Sequence, residues 1–423
     1  MKYALGRVLP DVPPGGVSAG IDWGTAGHAA CVVGATGRVA DEFAVADDRA
    51  GLAALTARLR RAGAAEAAIE RGDGPLVDAL SAAGITVVVI TPRQVSRLRE
   101  RHVASGAKDD SFDAFVLADA LRTDRARLRP LVPDSPQALA LRAAVRARKD
   151  LVAQRVAACN RLRAHLLTAF PGAAGLFSAL DSRLSLAFLD AFPSRASAAG
   201  LDEAALAAWL ATVPRRGGCA PAAVLARRLA AAVPGTGHDA HLAAVTRALA
   251  GTVAALAARI RDLETAVAAQ LAAHPDAEVF LSLPRAGTLR AARLLAETGD
   301  SRARYPDARA LAGAAGVAPV TRRSGKWTSH EFRWAANAHL RDAWTDWAGD
   351  SRHASPWAAA LYDAARQRGK DHPHAARILA CNWISVIWPC WQQGVPYDPA
   401  KHRSLQEILA RQQQPSPPAN TPA

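Results

Sequence analysis

VSAGIDWGTAGHAACVVG, residues 17–34, carries the fold reading of this chain. Two short apolar runs, VSAGIDWG and HAACVVG, flank Thr25, Ala26 and Gly27, and this spacing predicts a β-hairpin. GRVADEFAV, residues 37–45, reads as a third strand. The first run closes on Asp22, a carboxylate at the end of a strand that is otherwise apolar.

Outward from the hairpin, helix and strand signals alternate. LAALTARLRRAG predicts a helix, AAIE a strand ending on Glu70, GPLVDALSAAG a helix, and ITVVVITP a buried strand stopped by proline. PRQVSRLRER and DDSFDAFVLADALRTD follow as helices. Three strands followed by a β/α alternation is the layout of a ribonuclease-H-like domain. Asp110 and Asp113 stand three apart at the start of the last helix, where positions i and i+3 share a face. With Asp22 and Glu70 they suit a two-metal nuclease, because hard divalent cations prefer oxygen ligands. Two such ions clamp the attacking and leaving oxygens of a phosphodiester about 4 Å apart. Each acid also has a plainer use. Asp22 would shape a turn, Glu70 would pair with Arg71, and Asp110 or Asp109 would cap the helix. Lys108 is placed to position a scissile phosphate or to stand as a surface cation.

The chain has 423 residues, a net charge of +14 and a pI near 10.4. At roughly 150 residues per domain, two or three domains are expected. Only six of its 52 basic residues are lysine. Arginine grips phosphate bidentately, so the excess points to nucleic acid; a GC-rich coding sequence would also enrich it. The five cysteines lack C-x-x-C spacing and read as reduced core residues. The sequence reads as having neither a signal peptide nor a span of about 20 apolar residues, which predicts a soluble cytoplasmic protein.

Beyond RPLVPDSP, residues 136–170 predict a long helix bearing Arg142, Arg146, Arg148, Arg155, Arg161 and Arg163, either a nucleic-acid stripe or a solvated face. Residues 172–235 read as short helices, and residues 241–274 as a second long amphipathic helix. The two long helices would pair as a coiled coil, within the chain or between subunits. LSLPRAGTLRAARLLAETGD, with Arg285 and Gly287 in its turn, resembles a helix-hairpin-helix whose turn amides hold a DNA phosphate. A basic loop follows, with Arg322, Arg323, Ser324, Gly325, Lys326 and Trp327. Ser324 is a candidate nucleophile if a base or metal activates it; otherwise such a loop binds phosphate or makes a turn. Trp327 is the stacking candidate, while the other tryptophans of this region (Trp334, Trp344, Trp347, Trp357, Trp383, Trp388 and Trp391) read mostly as core.

AGIDWGTAGHAACVV, AAIERGDGPLVDALSAAGITVVVITPRQV, SGAKDDSFDAFVLADALRTD and LPRAGTLRAARLLAETGDSRARYPDARALAGAAGVAPVTRRSGK follow one another as in the DEDD transposases of the insertion-sequence one-ten family, related to pilin-gene invertases. The resemblance covers residues 17–395. It implies an α/β domain of RuvC-like (RNase H) fold over 17–130, after an extension of residues 1–16. A helical coiled-coil connector over 136–274 and a helical transposase domain over 276–395 follow; beyond the resemblance, the low-complexity end QQQPSPPANTPA reads as part of a disordered tail over 404–423. It implies a Mg²⁺ (or Mn²⁺) site at Asp22, Glu70, Asp110 and Asp113, and a nucleophilic serine at Ser324. It further implies DNA ends and target as partners, a homo-oligomer, a bridge RNA as guide in some members, and work on the bacterial nucleoid. A water-using nuclease would dispense with Ser324, and a non-catalytic nucleic-acid-binding relic would be indifferent to substitution of Asp22 and Glu70. The chain departs from the family in R-G-D-G after Glu70, in K-D-D for K-T-D, and in Arg285 where a glycine is usual.

Overall fold

A computed structural model describes residues 9–102, 109–214, 217–233, 235, 239–325 and 327–413. The chain divides into two compact units, one of residues 1–135 and 301–314 and the other of residues 136–300 and 315–423.

In the first unit, β1 (Val17–Trp23), β2 (Gly27–Gly34) and β3 (Val39–Ala46) form an antiparallel meander. α1 (Arg49–Arg61) leads to β4 (Glu66–Ile69), and α2 (Pro75–Ala82) to β5 (Thr86–Val89), both strands parallel to β1. The sheet order is β3-β2-β1-β4-β5. α3 (Pro92–Arg99) and α4 (Asp110–Thr123) complete this part.

Strand alternation sorts the sheet's two faces. Ala19, Ile21, Val32, Ala67, Ile69 and Val87 pack with Leu55 and Leu59 of α1 and Leu76 and Leu80 of α2. Cys31, Val33, Ala68 and Val88 face the other way, against α3 and α4. Both faces of β1, β2, β4 and β5 are covered, so those strands are apolar nearly throughout, whereas the edge strand β3, with Asp41 and Glu42, is largely exposed. Gly20 permits a close approach of α4 to the sheet. A Cβ there would lie 2.1 Å from the Ala114 carbonyl oxygen and 2.3 Å from the Ala118 nitrogen, so only a glycine lets α4 rest on β1. Deeper in this unit Arg125 and Glu66, each 4% exposed, form an ion pair at 2.7 Å.

The second unit opens on α5 (Pro136–Ala169), followed by α6 (Pro171–Ala174), α7 (Arg183–Ala191), α8 (Glu203–Thr212), α9 (Ala222–Ala230) and α10 (Asp239–Ala272). The two long helices pair antiparallel within the chain. Arg148 meets Glu264 at 2.6 Å and His165 meets Thr246 at 2.9 Å, so numbers rise on one helix as they fall on the other. The expectation of no apolar span is corrected here. His241–Ala272 contains an 18-residue window of mean hydropathy 1.4, long and apolar enough by composition to cross a membrane. Ala250 and Val253 of this helix belong to a core with Leu162 and Leu166 of α5, while 22% of that window is buried.

The α5 arginines are largely taken up internally. Arg146 grips both Glu297 oxygens at 2.8 and 2.6 Å, Arg142 donates to the Ala296 carbonyl, and Arg155 meets Asp181 at 3.5 Å. That removes most of the predicted nucleic-acid stripe and leaves Arg161 and Arg163 exposed.

α11 (Ala277–Leu281) and α12 (Gly287–Thr298) form the short helix pair predicted around the P-R-A-G turn. After α13 (Ala308–Ala314), which belongs to the first unit, the expected basic loop is a β-hairpin of β6 (Val320–Ser324) and β7 (Trp327–Glu331). α14 (Ala338–Ser351), α15 (Pro356–Gln367) and α16 (His372–Gln393) then build the tryptophan core. Trp344, Trp347, Trp383 and Trp391 are fully buried, and each indole N–H finds an acceptor: Thr298 Oγ1, the Pro284 carbonyl, Ser351 Oγ and the Gly299 carbonyl. Residues 404–413 of the expected disordered tail are instead helical, within α17 (Arg403–Gln413); the rest of it, 414–423, lies outside the described residues.

Candidate active site

Asp22 sits one residue before the end of β1, and Glu70 directly follows β4. Ile21 pairs with Ile69 across these parallel strands, so register sets the two acids side by side. Ile21 and Ile69 face α1 and α2; by alternation Asp22 and Glu70 belong to the opposite face, the one α4 covers.

The direction of α4 brings in the second pair. Arg122, near its C-terminal end, donates to the Ala35 carbonyl at 3.3 Å, just beyond Gly34, which pairs with Val17 at the start of β1. α4 therefore runs antiparallel to β1, and its first turn, with Asp110 and Asp113, lies toward the Asp22 end. A helix N-terminus favours carboxylates there. The cap is Asp109, which accepts from the Ser111 N–H at 3.4 Å; this leaves Asp110 exposed and uninvolved in capping.

Asp113 is buried at 1% exposure, and Arg99 of α3 grips both its oxygens, Nη2 to Oδ2 at 2.7 Å. Sequence reasoning missed Arg99, since nothing in PRQVSRLRER distinguishes it from its neighbours. Among the described residues no three His, Cys, Asp or Glu side chains stand close enough to hold one metal ion. The donor set still suits a hard cation. Asp22, Glu70 and Asp110 offer oxygen ligands at one end of the sheet, while Asp113 would have to exchange Arg99 for the metal. Lys108 lies outside the described residues. Cys31, on the same face of the sheet, is no nucleophile, because burial pushes its thiol up to about 12.

Ser324 ends β6 and pairs with Trp327, so the chain reverses within two residues, and Gly325 takes the left-handed φ of +56° that such a turn demands. Ser324 and Arg323 are exposed on this hairpin, Arg322 pairs with Glu331 at 3.0 Å, and Trp327 is 58% exposed. Lys326 lies outside the described residues. Arg285 has φ +57°, the one positive φ at a non-glycine among the described residues. Its guanidinium meets Asp350 at 2.9 Å beside Arg290, and the two cations hold that carboxyl below the usual range. Gly287 opens α12 at φ +54° with open space around it.

Two family models match, and both describe transposases: that of the IS110 DEDD transposases over residues 19–171, and that of the IS116/IS110/IS902 transposases over residues 277–363. The IS117 mini-circle protein of Streptomyces coelicolor, named as that element's candidate transposase, is 36% identical over 90% of this chain and 95% of its own length. The uncharacterised 42 kDa protein of insertion element IS900 from Mycobacterium paratuberculosis is 32% identical over 91% of this chain and 98% of its own. The uncharacterised 43.6 kDa protein of insertion element IS110, also from Streptomyces coelicolor, is 31% identical over 69% of this chain and 72% of its own. The chain belongs to the IS110 family of insertion-sequence transposases.

Proposed function

We propose that this chain cuts and joins DNA at the ends of an insertion sequence and at its target, with Asp22, Glu70, Asp110 and Asp113 as its metal-binding acids and Ser324 as its nucleophile. The observation that carries the reading is that strand register and the direction of α4 set the two strand-end acids and the first turn of α4 toward the same end and face of the sheet. The strand order β3-β2-β1-β4-β5, three antiparallel strands then two parallel, supports a RuvC-like, ribonuclease-H-type domain.

A Mg²⁺ or Mn²⁺ ion held by these carboxylates would neutralise charge on a phosphodiester. The protein's own groups do the rest. Arg322 and Arg323 draw the DNA backbone to the hairpin, and Gly325 lets the chain turn so that Ser324 stands exposed at its tip. In the exchange the Ser324 Oγ–P bond forms and one P–O bond to deoxyribose breaks. The serine proton leaves with a base, the departing sugar oxygen takes up a proton, and the phosphodiester count is conserved. Attack of the freed hydroxyl of another strand on the phosphoserine returns the serine. Trp327 stacks on a base, and Lys108, Arg285, Gly287 and Lys326 are further nucleic-acid contacts. The protein works as a homo-oligomer in the cytoplasm on nucleoid DNA, and a bridge RNA from the element serves as its guide. An Asp22→Ala protein tests the metal-site part: it should still bind DNA and lose strand cleavage, and full cleavage by it would overturn the assignment.

A further inference from the structure

Phe332 and Trp334 lie between the Ser324 hairpin and α14, in a segment of no regular structure. Trp334 is 79% exposed, the most exposed of the large apolar side chains described, although the sequence suggests a core residue. Its ring stands edge-on to Phe332 at 4.7 Å. Two guanidinium groups lie on that same Phe332 ring, Arg341 of α14 at 4.5 Å and Arg377 of α16 at 4.9 Å.

This arrangement is electrostatically incomplete. No carboxylate among the described residues pairs with Arg341 or Arg377, whereas Arg285, Arg290 and Arg293 nearby are matched with Asp342, Asp346 and Asp350. Arg341 Nε is buried with no hydrogen-bond partner, and its Nη2 donates only to the Arg333 carbonyl at 2.8 Å. Burial and the Arg377 charge both work against the protonated form of Arg341, and burial followed by the same Arg377 charge likewise depresses His374. Gly316, at φ +64°, makes the room, since a Cβ there would lie 2.5 Å from Arg341 Nη2. The pair is also tied to the hairpin: Arg333, which accepts from Arg341, donates to the Ala318 and Pro319 carbonyls just before β6. Half-buried like charges are favoured where an anion completes them, and an exposed indole beside them offers a flat face to a base.

We propose that Arg341 and Arg377 form a phosphate site at the root of the Ser324 hairpin, occupied by a DNA backbone phosphate whose adjoining unpaired base stacks on Trp334. This inference rests on the DNA-processing reading above and adds the residues that hold the strand beside the hairpin. Phosphate supplies the missing negative charge and accepts from the guanidinium N–H groups, while Phe332 fixes both arginines in place.

The test uses the full-length protein and a labelled DNA duplex with a single-stranded flank, titrated at several salt concentrations. Arg377→Gln should lower the slope of log K against log salt by about 0.7–0.9, the loss of one phosphate contact. Without DNA it should melt no lower than wild type, because a like-charge contact is relieved. Trp334→Ala should weaken binding about tenfold with the salt slope unchanged, and Trp334→Phe should restore most of it. Wild-type binding with an unaltered slope in Arg377→Gln would overturn this site and leave the transposase reading standing. If wild type binds no DNA, the occupant proposed here fails along with that reading. A wild type stabilised by inorganic phosphate, with no such gain in Arg377→Gln, would support the anion site independently of DNA.

Discussion

Arg99 closes a bidentate ion pair on Asp113, whose carboxylate is 1% exposed at the first turn of α4. One acid of the proposed metal-binding set is thus neutralised by the protein's own cation, and Arg99 does for the buried carboxylate what a metal would do. Removing Arg99 leaves a buried charge unpaired. Because Arg99 is itself 25% exposed, the cost falls near the low end of buried-pair losses, about 3 kcal/mol. Arg99→Ala should therefore melt lower than wild type in chelator, and Mn²⁺ should return more stability to it than to wild type. Identical melting of the two proteins with and without Mn²⁺ would refute the exchange of Arg99 for metal.

Gly20→Ala tests how the site is assembled. Its Cβ would lie 2.1 Å from the Ala114 carbonyl oxygen, so α4 must move away from β1 and carry Asp110 and Asp113 with it. Overpacking of this kind costs about 1–3 kcal/mol. Denaturant unfolding should register that loss, and DNA cleavage should fall further than stability alone explains. Retained cleavage at wild-type rate would show that α4 tolerates the shift.

Arg285→Gly sets backbone strain against an ion pair. Leaving the left-handed region to a glycine recovers about 1 kcal/mol, while Asp350 keeps Arg290 at 2.7 Å as its partner. Thermal unfolding near neutral pH should be unchanged or slightly higher, and a drop of several degrees would mean that the Arg285–Asp350 pair dominates. Acid sensitivity should be smaller in the variant, because the Arg285 hydrogen bond is the largest influence lowering the Asp350 carboxyl and only Arg290 remains beside it. The depressed Asp350 contributes stability above its unfolded value near 4, and this is lost as pH falls through the folded value.

His402 predicts a milder acid effect. Its Nδ1 meets the Tyr397 hydroxyl at 2.8 Å among Trp357 and Trp383, and burial holds its pKa below the ordinary value. The folded protein therefore binds fewer protons here than the unfolded chain. The contribution is complete above the unfolded value near 6.5 and declines as pH falls toward the folded one. Melting temperature should decrease from pH 7.5 to 5.5, and His402→Gln should flatten that decrease. An equal decrease in the variant would place the effect elsewhere.

Legibility follows periodicity. The hairpin of β1 and β2, the strand ends at Asp22 and Glu70 and the i, i+3 acids of α4 are readable because alternation and helix spacing are local properties of the chain. Arg99 is not, since which of the neighbouring arginines turns toward Asp113 depends on how α3 packs on α4. The same limit applies to Trp334, whose exposure comes from the chain leaving β7 before α14 begins. It applies also to Arg146 and Arg148 of α5, whose carboxylate partners Glu297 and Glu264 are remote in sequence. The basic segment at Ser324 reads as a loop because Arg, Ser, Gly and Lys carry no strand signal. The hairpin there is set by cross-strand pairing and by the left-handed turn that Gly325 allows.

The most direct measurement is strand exchange between a plasmid carrying the element's ends and a target plasmid, with the flanking non-coding DNA transcribed alongside. Wild type, Asp22→Ala and Ser324→Ala are compared, and covalent protein–DNA adducts are trapped by denaturation. Recombinants and an adduct are expected with wild type, and neither with either variant. Recombination by Ser324→Ala at the wild-type level would contradict the nucleophile assignment and return the chemistry to water and the four acids alone.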